Sequence, residues 1–253
     1  RHVNITLDKG VPNGEINSRV KESYYVNEFK YIFENTNVTG PLKATLTAHQ
    51  GEGFLRIFAN AKQFFAYGKK NKGVTIKAFA GVLPQLDEDV SIRTSFTYSG
   101  ISSRLGQRDY MFDENLLGRS EGRGNVEGSD DGIFSQQIFN RDAGLKTLSD
   151  FGSSQDWMVS LGASTTIPGP LPVRPYIDAV IYKGRDSANF AYSLGIAIVG
   201  IPDALEIYVP FYESSLVTRG TSYEVRDNKL KRISFLIDLN ELKNKWKNVA
   251  KFY

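Results

Sequence analysis

The sequence contains no cysteine, only two histidines, two methionines and two tryptophans, and a formal net charge of +3 over 253 residues. Without cysteine there is no disulfide framework and no thiolate site. A charge of this size gives no argument for a nucleic-acid partner. Cysteine chemistry is therefore excluded and nucleic-acid binding is not expected, while the compartment stays open.

Long hydrophobic runs are also missing. The longest, AYSLGIAIVGI at 191–201, is about half the length that a membrane-spanning helix needs. No helix is therefore expected to cross a bilayer. A transmembrane barrel is not excluded by this, because each of its strands needs only about ten residues of alternating character. The sequence begins at Arg1 and shows no signal peptide, which indicates a processed protein or a fragment.

Recognisable catalytic motifs are absent as well. His2 and His49 lie in separate segments, and there is no H-E-x-x-H zinc motif. The glycines of GRSEGRGNVEG at 118–128 do not match G-x-G-x-x-G, and no G-x-S-x-G elbow occurs. We therefore expect no catalytic residue, metal or cofactor in this chain. An enzyme would require a catalytic domain upstream of Arg1.

What the sequence does contain is alternation of apolar and polar residues with period two. LKATLTAH at 42–49 and KRISFLIDL at 231–239 are examples. The alternating segments are bounded by turn-forming sequences such as VPNG and HQGEG, which is typical of antiparallel hairpins. This predicts an all-β fold of about 11–12 strands over residues 1–239. The segments are roughly 2–8, 16–34, 41–50, 54–67, 73–83, 90–98, 156–167, 173–183, 189–200, 205–213 and 230–239.

Only the tail, NELKNKWKNVAKFY at 240–253, predicts a helix. Leu239, Leu242, Trp246 and Val249 recur at helical spacing, and lysines occupy positions around them. Such an amphipathic helix would either lie on an anionic membrane surface or dock on the protein itself.

The alternation fits two architectures. In a soluble sandwich or small barrel the apolar face is the core, whereas in a transmembrane barrel it meets lipid and the polar face lines the lumen. The apolar faces are rich in alanine, which would underfill a soluble core, and the opposite faces carry basic residues in mid-strand. We therefore predict an antiparallel transmembrane β-barrel, with a soluble barrel or sandwich that binds an apolar ligand as the alternative. The predicted lumen-facing basic residues are Lys30, Lys43, Arg56, Lys62, Lys77, Arg174 and Arg232.

From residue 116 to 239 the order of features resembles the C-terminal half of the Omp85 (surface antigen) outer-membrane barrels. LLGRSEGRG at 116–124 is similar to the arginine–glycine motif of their long loop, and RISFLIDL at 232–239 is similar to their last strand. A fuller match, GRSEGRG…FSQQIF…AGLKT, resembles barrel domains that follow M1-peptidase-like regions in Bacteroidota proteins. The resemblance implies the bacterial outer membrane and a role as anchor, translocation module or subunit of an assembly. The implied partners are outer-membrane lipid and other outer-membrane or periplasmic proteins.

The same resemblance implies a latch between a long loop, about 99–155, and the barrel wall. The loop arginine would reach an aspartate two strands later, which corresponds here to Arg119 and Asp178, with Arg123 as the second choice. The glycine-rich polar segment would then fold back into a wet lumen. The alternatives are a surface loop, with Asp178 either hydrated or paired with Arg174 of its own strand.

Overall fold

The computed structural model describes residues 2–10, 19–37, 39–67, 72–84, 86, 96–97, 136–138, 144–147, 153–168, 171–219, 229–239 and 241–243. Twelve strands fall within these residues. They are β1 (His2–Gly10), β2 (Arg19–Asn35), β3 (Leu42–Gly51), β4 (Phe54–Ala66), β5 (Gly73–Val82), β6 (Phe96–Thr97), β7 (Ser153–Ser154), β8 (Trp157–Thr165), β9 (Val173–Lys183), β10 (Ala188–Ile201), β11 (Leu205–Glu213) and β12 (Ser234–Ile237).

Ten of these strands form one sheet in the order β1-β2-β3-β4-β5-β8-β9-β10-β11-β12, and β6 pairs with β7 separately. Every pairing between these strands is antiparallel, so the sheet is a meander of hairpins. The all-β prediction is therefore confirmed. The predicted strand at 90–98 corresponds only to the short β6, and residues 90–95 and 98 lie outside the described part.

The sheet is strongly curved but not closed. Within the described residues, β1 and β12 are its two edges, so the structure does not show the predicted closed barrel. Lys62 on β4 forms an ion pair with Asp203 in the turn between β10 and β11. Four strand spacings, about 19 Å, would separate β4 from β10 in a flat sheet. The sheet must therefore bend around the face that carries Lys62.

One face of the sheet, called the apolar face below, is exposed although it is built from large apolar side chains. Residues paired across neighbouring strands share a face, and Tyr31, Leu46, Ala59, Ala80, Val159, Ile181 and Phe190 form one such row. Tyr31 is 68% exposed and Leu161, in the next row, is 59% exposed. From β3 to β12 the described strands carry one charged residue on this face, Lys183 at the end of β9.

The opposite face, called the polar face below, is largely covered. It carries side chains that would be exposed in an ordinary one-sided soluble sheet. The buried polar residues on this face are Thr47, His49, Arg56, Ser160, Asp178, Ser193, Glu206 and Ser234. The exposed face is therefore apolar, and the covered face combines these polar residues with buried apolar ones.

The cover comes from the connection between β5 and β8, residues 83–156, called the long connection below. Its residues Phe96 and Leu145 are buried in a cluster with Tyr24 of β2 and Tyr182 of β9. Its Ile138 is buried in a second cluster that includes Tyr208 of β11. The two clusters join distant strands through the inside of the curve, which accounts for the curvature.

An aromatic and cationic stack lies under β6. The guanidinium carbon of Arg56 is 4.8 Å from the ring centre of Phe58 and 4.6 Å from that of Phe96. Both distances fall in the range of cation–π attraction. Gly81 makes room for this stack, because a Cβ there would lie 2.6 Å from Cζ of Phe96. The long connection is thereby pressed against β4 and β5.

Helix is confined to short segments of the described residues. α1 (Ser215–Arg219) and a 3-10 turn (Lys229–Arg232) lie between β11 and β12. After β12, residues 239 and 241–243 are helical, and Asp238 accepts the backbone N–H of Glu241 at 3.0 Å as a cap. The other residues of the predicted tail helix, 240 and 244–253, lie outside the described residues. No described helix is long and apolar enough to cross a bilayer.

Candidate functional site

A continuous row of polar and small residues crosses eight strands on the polar face, from β2 to β11. Neighbouring members are paired in register, so their side chains lie side by side. The row contains Glu34, Lys43, Lys62, Lys77, Gly162, Asp178, Ser193 and Glu213. Three lysines stand next to each other in this row, so carboxylates from elsewhere in the fold are needed to offset their charge.

The central feature of the row is an ion pair between Asp178 and Lys146 of the long connection. The Lys146 Nζ atom donates to Oδ1 of Asp178 at 2.9 Å and to Oδ2 at 2.7 Å. Asp178 is 2% exposed and Lys146 is 7% exposed. Because both carboxylate oxygens are engaged by one ammonium, the pair fixes the position of residues 144–147 against β9.

The protein surrounds this ammonium on several sides. It lies 5.0 Å from the ring centre of Tyr176 and 5.8 Å from that of Tyr208, and it also donates to the Gly144 carbonyl at 3.4 Å. Gly144 has a φ of 69°, a conformation that glycine adopts without strain. Burial lowers the pKa of Lys146, and the adjacent carboxylate of Asp178 opposes that shift.

Gly162 provides the space that the pair occupies. It stands between Lys77 and Asp178 in the row, and a Cβ at this position would lie 2.3 Å from Oδ1 of Asp178. Any larger residue would therefore have to move the carboxylate. The Asp178 side chain thus leans over β8, where it meets Lys146.

A second set of contacts holds the long connection to β11 and β12. The Thr147 hydroxyl donates to Glu213, which also pairs with Arg232. The Ser234 hydroxyl donates to the Lys146 carbonyl at 3.1 Å. Together with the Lys146–Asp178 pair, these contacts attach residues 146–147 to β9, to the end of β11 and to β12.

The long connection also reaches the edge of the sheet at β12. Gln137 forms a parallel bridge with Phe235, and the Ile138 N–H donates to the Phe235 carbonyl at 2.8 Å. The Gln137 side-chain amide donates to the Ile237 carbonyl at 3.4 Å. Part of the edge of β12 is therefore covered by the chain itself.

A third group of charges lies near the turn between β10 and β11. Asp203 has a φ of 59°, and its carboxylate contacts both Lys62 and Lys77, the latter at 3.3 Å. Its backbone N–H donates to Glu206 Oε1 at 2.6 Å, and the Tyr208 hydroxyl donates to the other oxygen of Glu206. The turn thus contributes carboxylates to the lysine side of the row.

The predicted site residues can now be placed. Asp178 is buried, and its partner is Lys146 rather than Arg174. Arg119 and Arg123 lie outside the described residues, so their contact with Asp178 stays a prediction. By register the predicted basic residues on strands belong to the polar face, while Arg232 lies in the 3-10 turn and contacts Glu213. Those strand residues are Lys30, Lys43, Arg56, Lys62, Lys77 and Arg174.

Sequence reasoning missed Lys146, Gly162 and Asp203. Lys146 lies 32 positions from Asp178, and no local pattern relates the two. The sequence feature that could have pointed to Lys146 is the apolar character of the surrounding segment, in which Ile138 and Leu145 are buried. An ordered apolar segment inside a glycine-rich polar loop indicates that part of the loop packs on the sheet.

The arrangement holds a segment of chain by charge and hydrogen bonds. Among the described residues there is no group of three or more His, Asp or Glu side chains placed to hold a metal ion. No protein-family model matches the chain, and no curated protein matches it. The geometry of the polar face and the exposure of the apolar face therefore carry the functional argument.

We expect removal of one partner of the Lys146–Asp178 pair to destabilise the fold strongly. Lys146→Met leaves a buried carboxylate without its cation, and Asp178→Asn leaves the ammonium without its anion. Each change should lower the free energy of unfolding by about 3–5 kcal/mol, and the double variant should lose less than the sum of both. Denaturant unfolding of the four proteins measures these values.

Lys43→Met is the matched control, because Lys43 belongs to the same row. Its pair with Glu34 is 2.8 Å long, and the two side chains are 60% and 49% exposed. An exposed pair of this kind contributes at most about 1 kcal/mol. Equal losses for Lys43→Met and Lys146→Met would show that the buried pair has no special role.

Gly162→Ala should displace Asp178 and loosen the long connection, because the new methyl group occupies the position of the carboxylate oxygen. We expect faster proteolytic cleavage within residues 83–156 than in the parent. Gly200→Ala is the control: its Cβ would meet Leu205 Cδ2 at 3.2 Å, a flexible side-chain end that can move. Unchanged cleavage of the Gly162→Ala protein would contradict the steric role of Gly162.

Proposed function

We propose that the curved sheet forms part of the wall of an outer-membrane β-barrel. In this barrel, lipid contacts the apolar face and the long connection packs against the polar face on the inside. The exposure of the apolar face supports this proposal most directly. A soluble sheet buries its apolar face and exposes its polar face, whereas from β2 to β12 this sheet leaves the apolar face exposed and covers the polar face.

The length of the apolar strips supports the same proposal. On β5 the outward residues run from Val74 to Val82, and on β9 they run from Val173 to Ile181. Eight residue steps cover about 27 Å along a strand. Tilted strands of that length suit the apolar band, about 25 Å tall, of outer-membrane barrels.

The connections differ between the two ends of the sheet, as membrane barrels also show. At one end lie residues 36–41, 67–72, 166–172 and 202–204, all of them short connections. At the other end lie the long connection, residues 214–233, the connection between β1 and β2 (11–18) and two short turns, 52–53 and 184–187. By analogy with such barrels, the short-connection end would be periplasmic and the long-connection end extracellular.

We propose further that the barrel is of the Omp85 type. Support comes from chain order: the long connection is followed by five strands, β8 to β12, and Asp178 lies on the second of them. The role that fits is a non-enzymatic one, as membrane anchor, translocation module or assembly subunit. A permanently open pore fits less well, because buried contacts of the long connection occupy the inner face.

The soluble alternative, a barrel or sandwich that binds an apolar ligand, needs an apolar interior. Here the described cavity on the inner face is lined by charged residues such as Lys62, Lys77 and Asp203. Its apolar lining is limited to residues such as Tyr176, Val199 and Tyr208, and the exposed side chains of the apolar face point away from it. The alternative therefore has less support than the membrane barrel.

The proposal predicts that the purified chain needs detergent or lipid to stay in solution. Folded in detergent, it should migrate differently on a gel before and after heating, because a folded barrel resists the detergent until it is heated. A chain that is soluble without detergent and shows no mobility change on heating would contradict the proposal.

Leu161→Arg places a charge in the middle of the apolar face and should impair folding into lipid vesicles. An arginine at the bilayer midplane costs about 2–4 kcal/mol, whereas the same change at an exposed site of a soluble sheet costs about 0.5 kcal/mol or less. Gln155→Arg is the control, because it adds the same charge six positions earlier, at an exposed residue before β8. Equal folding yields for the two variants would argue against lipid contact at Leu161.

A further inference from the structure

We propose that the cavity on the polar face is a binding site for a small oxyanion, a phosphate or carboxylate group, with Arg174 as its main contact. The proposal rests on the cavity and its charges, and it holds whether the apolar face meets lipid or another cover. The cavity has a volume of about 30 Å³ and is partly open to solvent.

The charges of the lining residues favour an anion. Four basic side chains, Lys62, Lys77, Lys146 and Arg174, and three acidic ones, Asp178, Asp203 and Glu206, line the cavity. The lining therefore has one positive charge in excess. An anion of one or two charges would bring it close to neutrality.

All three carboxylates already have internal partners. Asp178 is bound by Lys146 through both oxygens, and Asp203 is bound by Lys62 and Lys77. Glu206 accepts from the backbone of Asp203 and from the hydroxyl of Tyr208. None of these acids is therefore left over for Arg174.

Arg174 is the lining cation that has no carboxylate partner among the described residues. It lies on β9, is half-buried and lines the cavity. Guanidinium presents a rigid fork of N–H donors that matches the two oxygens of a carboxylate or phosphate. A half-buried arginine without an internal carboxylate partner is suited to bind an anion from solution.

Neighbouring hydroxyl groups complete the site. Thr75 of β5 is paired in register with Ser164 of β8, and Ser164 is paired with Tyr176 of β9. Arg174 is two residues from Tyr176 on the same face, so it lies diagonally next to Ser164. Thr75 and Ser164 both line the cavity, where their hydroxyls can donate to an oxyanion held by Arg174.

Asp203 has a particular place in this arrangement, because it competes with an incoming anion for Lys62 and Lys77. Its carboxylate reaches the two lysines from the turn between β10 and β11. Removing that charge would raise the excess of positive charge in the cavity from one to two. The site therefore predicts opposite effects for the loss of Arg174 and the loss of Asp203.

The test is titration of the folded chain with inorganic phosphate at constant ionic strength, followed by calorimetry, with chloride as the reference anion. We expect saturable binding of phosphate. Arg174→Gln should weaken it about tenfold or more, since a charge-assisted hydrogen bond is lost. Asp203→Asn should tighten it, and asparagine tolerates the left-handed backbone of this position.

Arg185→Gln is the matched control. It removes the same charge from an exposed position in the turn between β9 and β10, at the other end of the sheet, and it should leave phosphate affinity unchanged. A water-soluble short-chain lipid phosphate forms a second arm: binding of that probe alone would assign the site to a lipid headgroup, and binding of inorganic phosphate assigns it to a free anion.

Three results would overturn the proposal. The first is saturable binding of neither probe to the parent chain. The second is equal weakening by Arg174→Gln and Arg185→Gln, which would mean that net charge alone attracts the anion. The third is weaker binding by Asp203→Asn, which would mean that Asp203 supports the site rather than competes for it. The opposite signs expected for the two lining variants separate a binding role from a general loss of folding.

Discussion

The need to pair buried charges governs the inside of this fold. Moving an ion out of water costs several kcal/mol unless a partner and hydrogen bonds replace the water. The row on the polar face sets Lys43, Lys62 and Lys77 beside one another on three strands, and like charges in register repel. Glu34 of the same row pairs with Lys43, and Asp203, from a turn, pairs with Lys62 and Lys77. Asp178, the buried carboxylate of the row, is neutralised in turn by Lys146 of the long connection.

This pairing also couples the curvature of the sheet to the position of the long connection. Lys62 reaches Asp203 only because the sheet bends, and the bend brings β2 and β9 close enough for one cluster to contain Tyr24 and Tyr182. The cluster includes Leu145, next to Lys146. Sheet curvature, packing of residues 144–147 and neutralisation of Asp178 therefore depend on one another.

Sequence periodicity predicted the strands well because alternation is a local property. β9 and β11 match their predicted ranges, whereas the predicted strand at 230–239 is only Ser234–Ile237. The 3-10 turn at Lys229–Arg232 shortens it, and Arg232 there pairs with Glu213 of β11. Lys146 and Asp203 could not be predicted in the same way, because each contacts a partner that is distant in sequence. Those contacts depend on the curvature of the sheet, which no spacing of residues in the sequence indicates.

The apolar face restricts what kind of surface can cover it. Large side chains such as Phe29, 67% exposed, and Ile177, 53% exposed, repeat from strand to strand, and exposed apolar patches beyond a few hundred Å² mark contact surfaces. A protein partner would be expected to meet some polar side chains of its own kind in the middle of the interface. Here Gln50 and Thr165 lie towards the ends of β3 and β8, Asn27 is paired with Gln50 at the same margin, and the middle of the face from β3 to β11 is apolar. A lipid bilayer is uniformly apolar over a central band and polar at its margins, so this distribution of side chains supports the proposed contact with lipid.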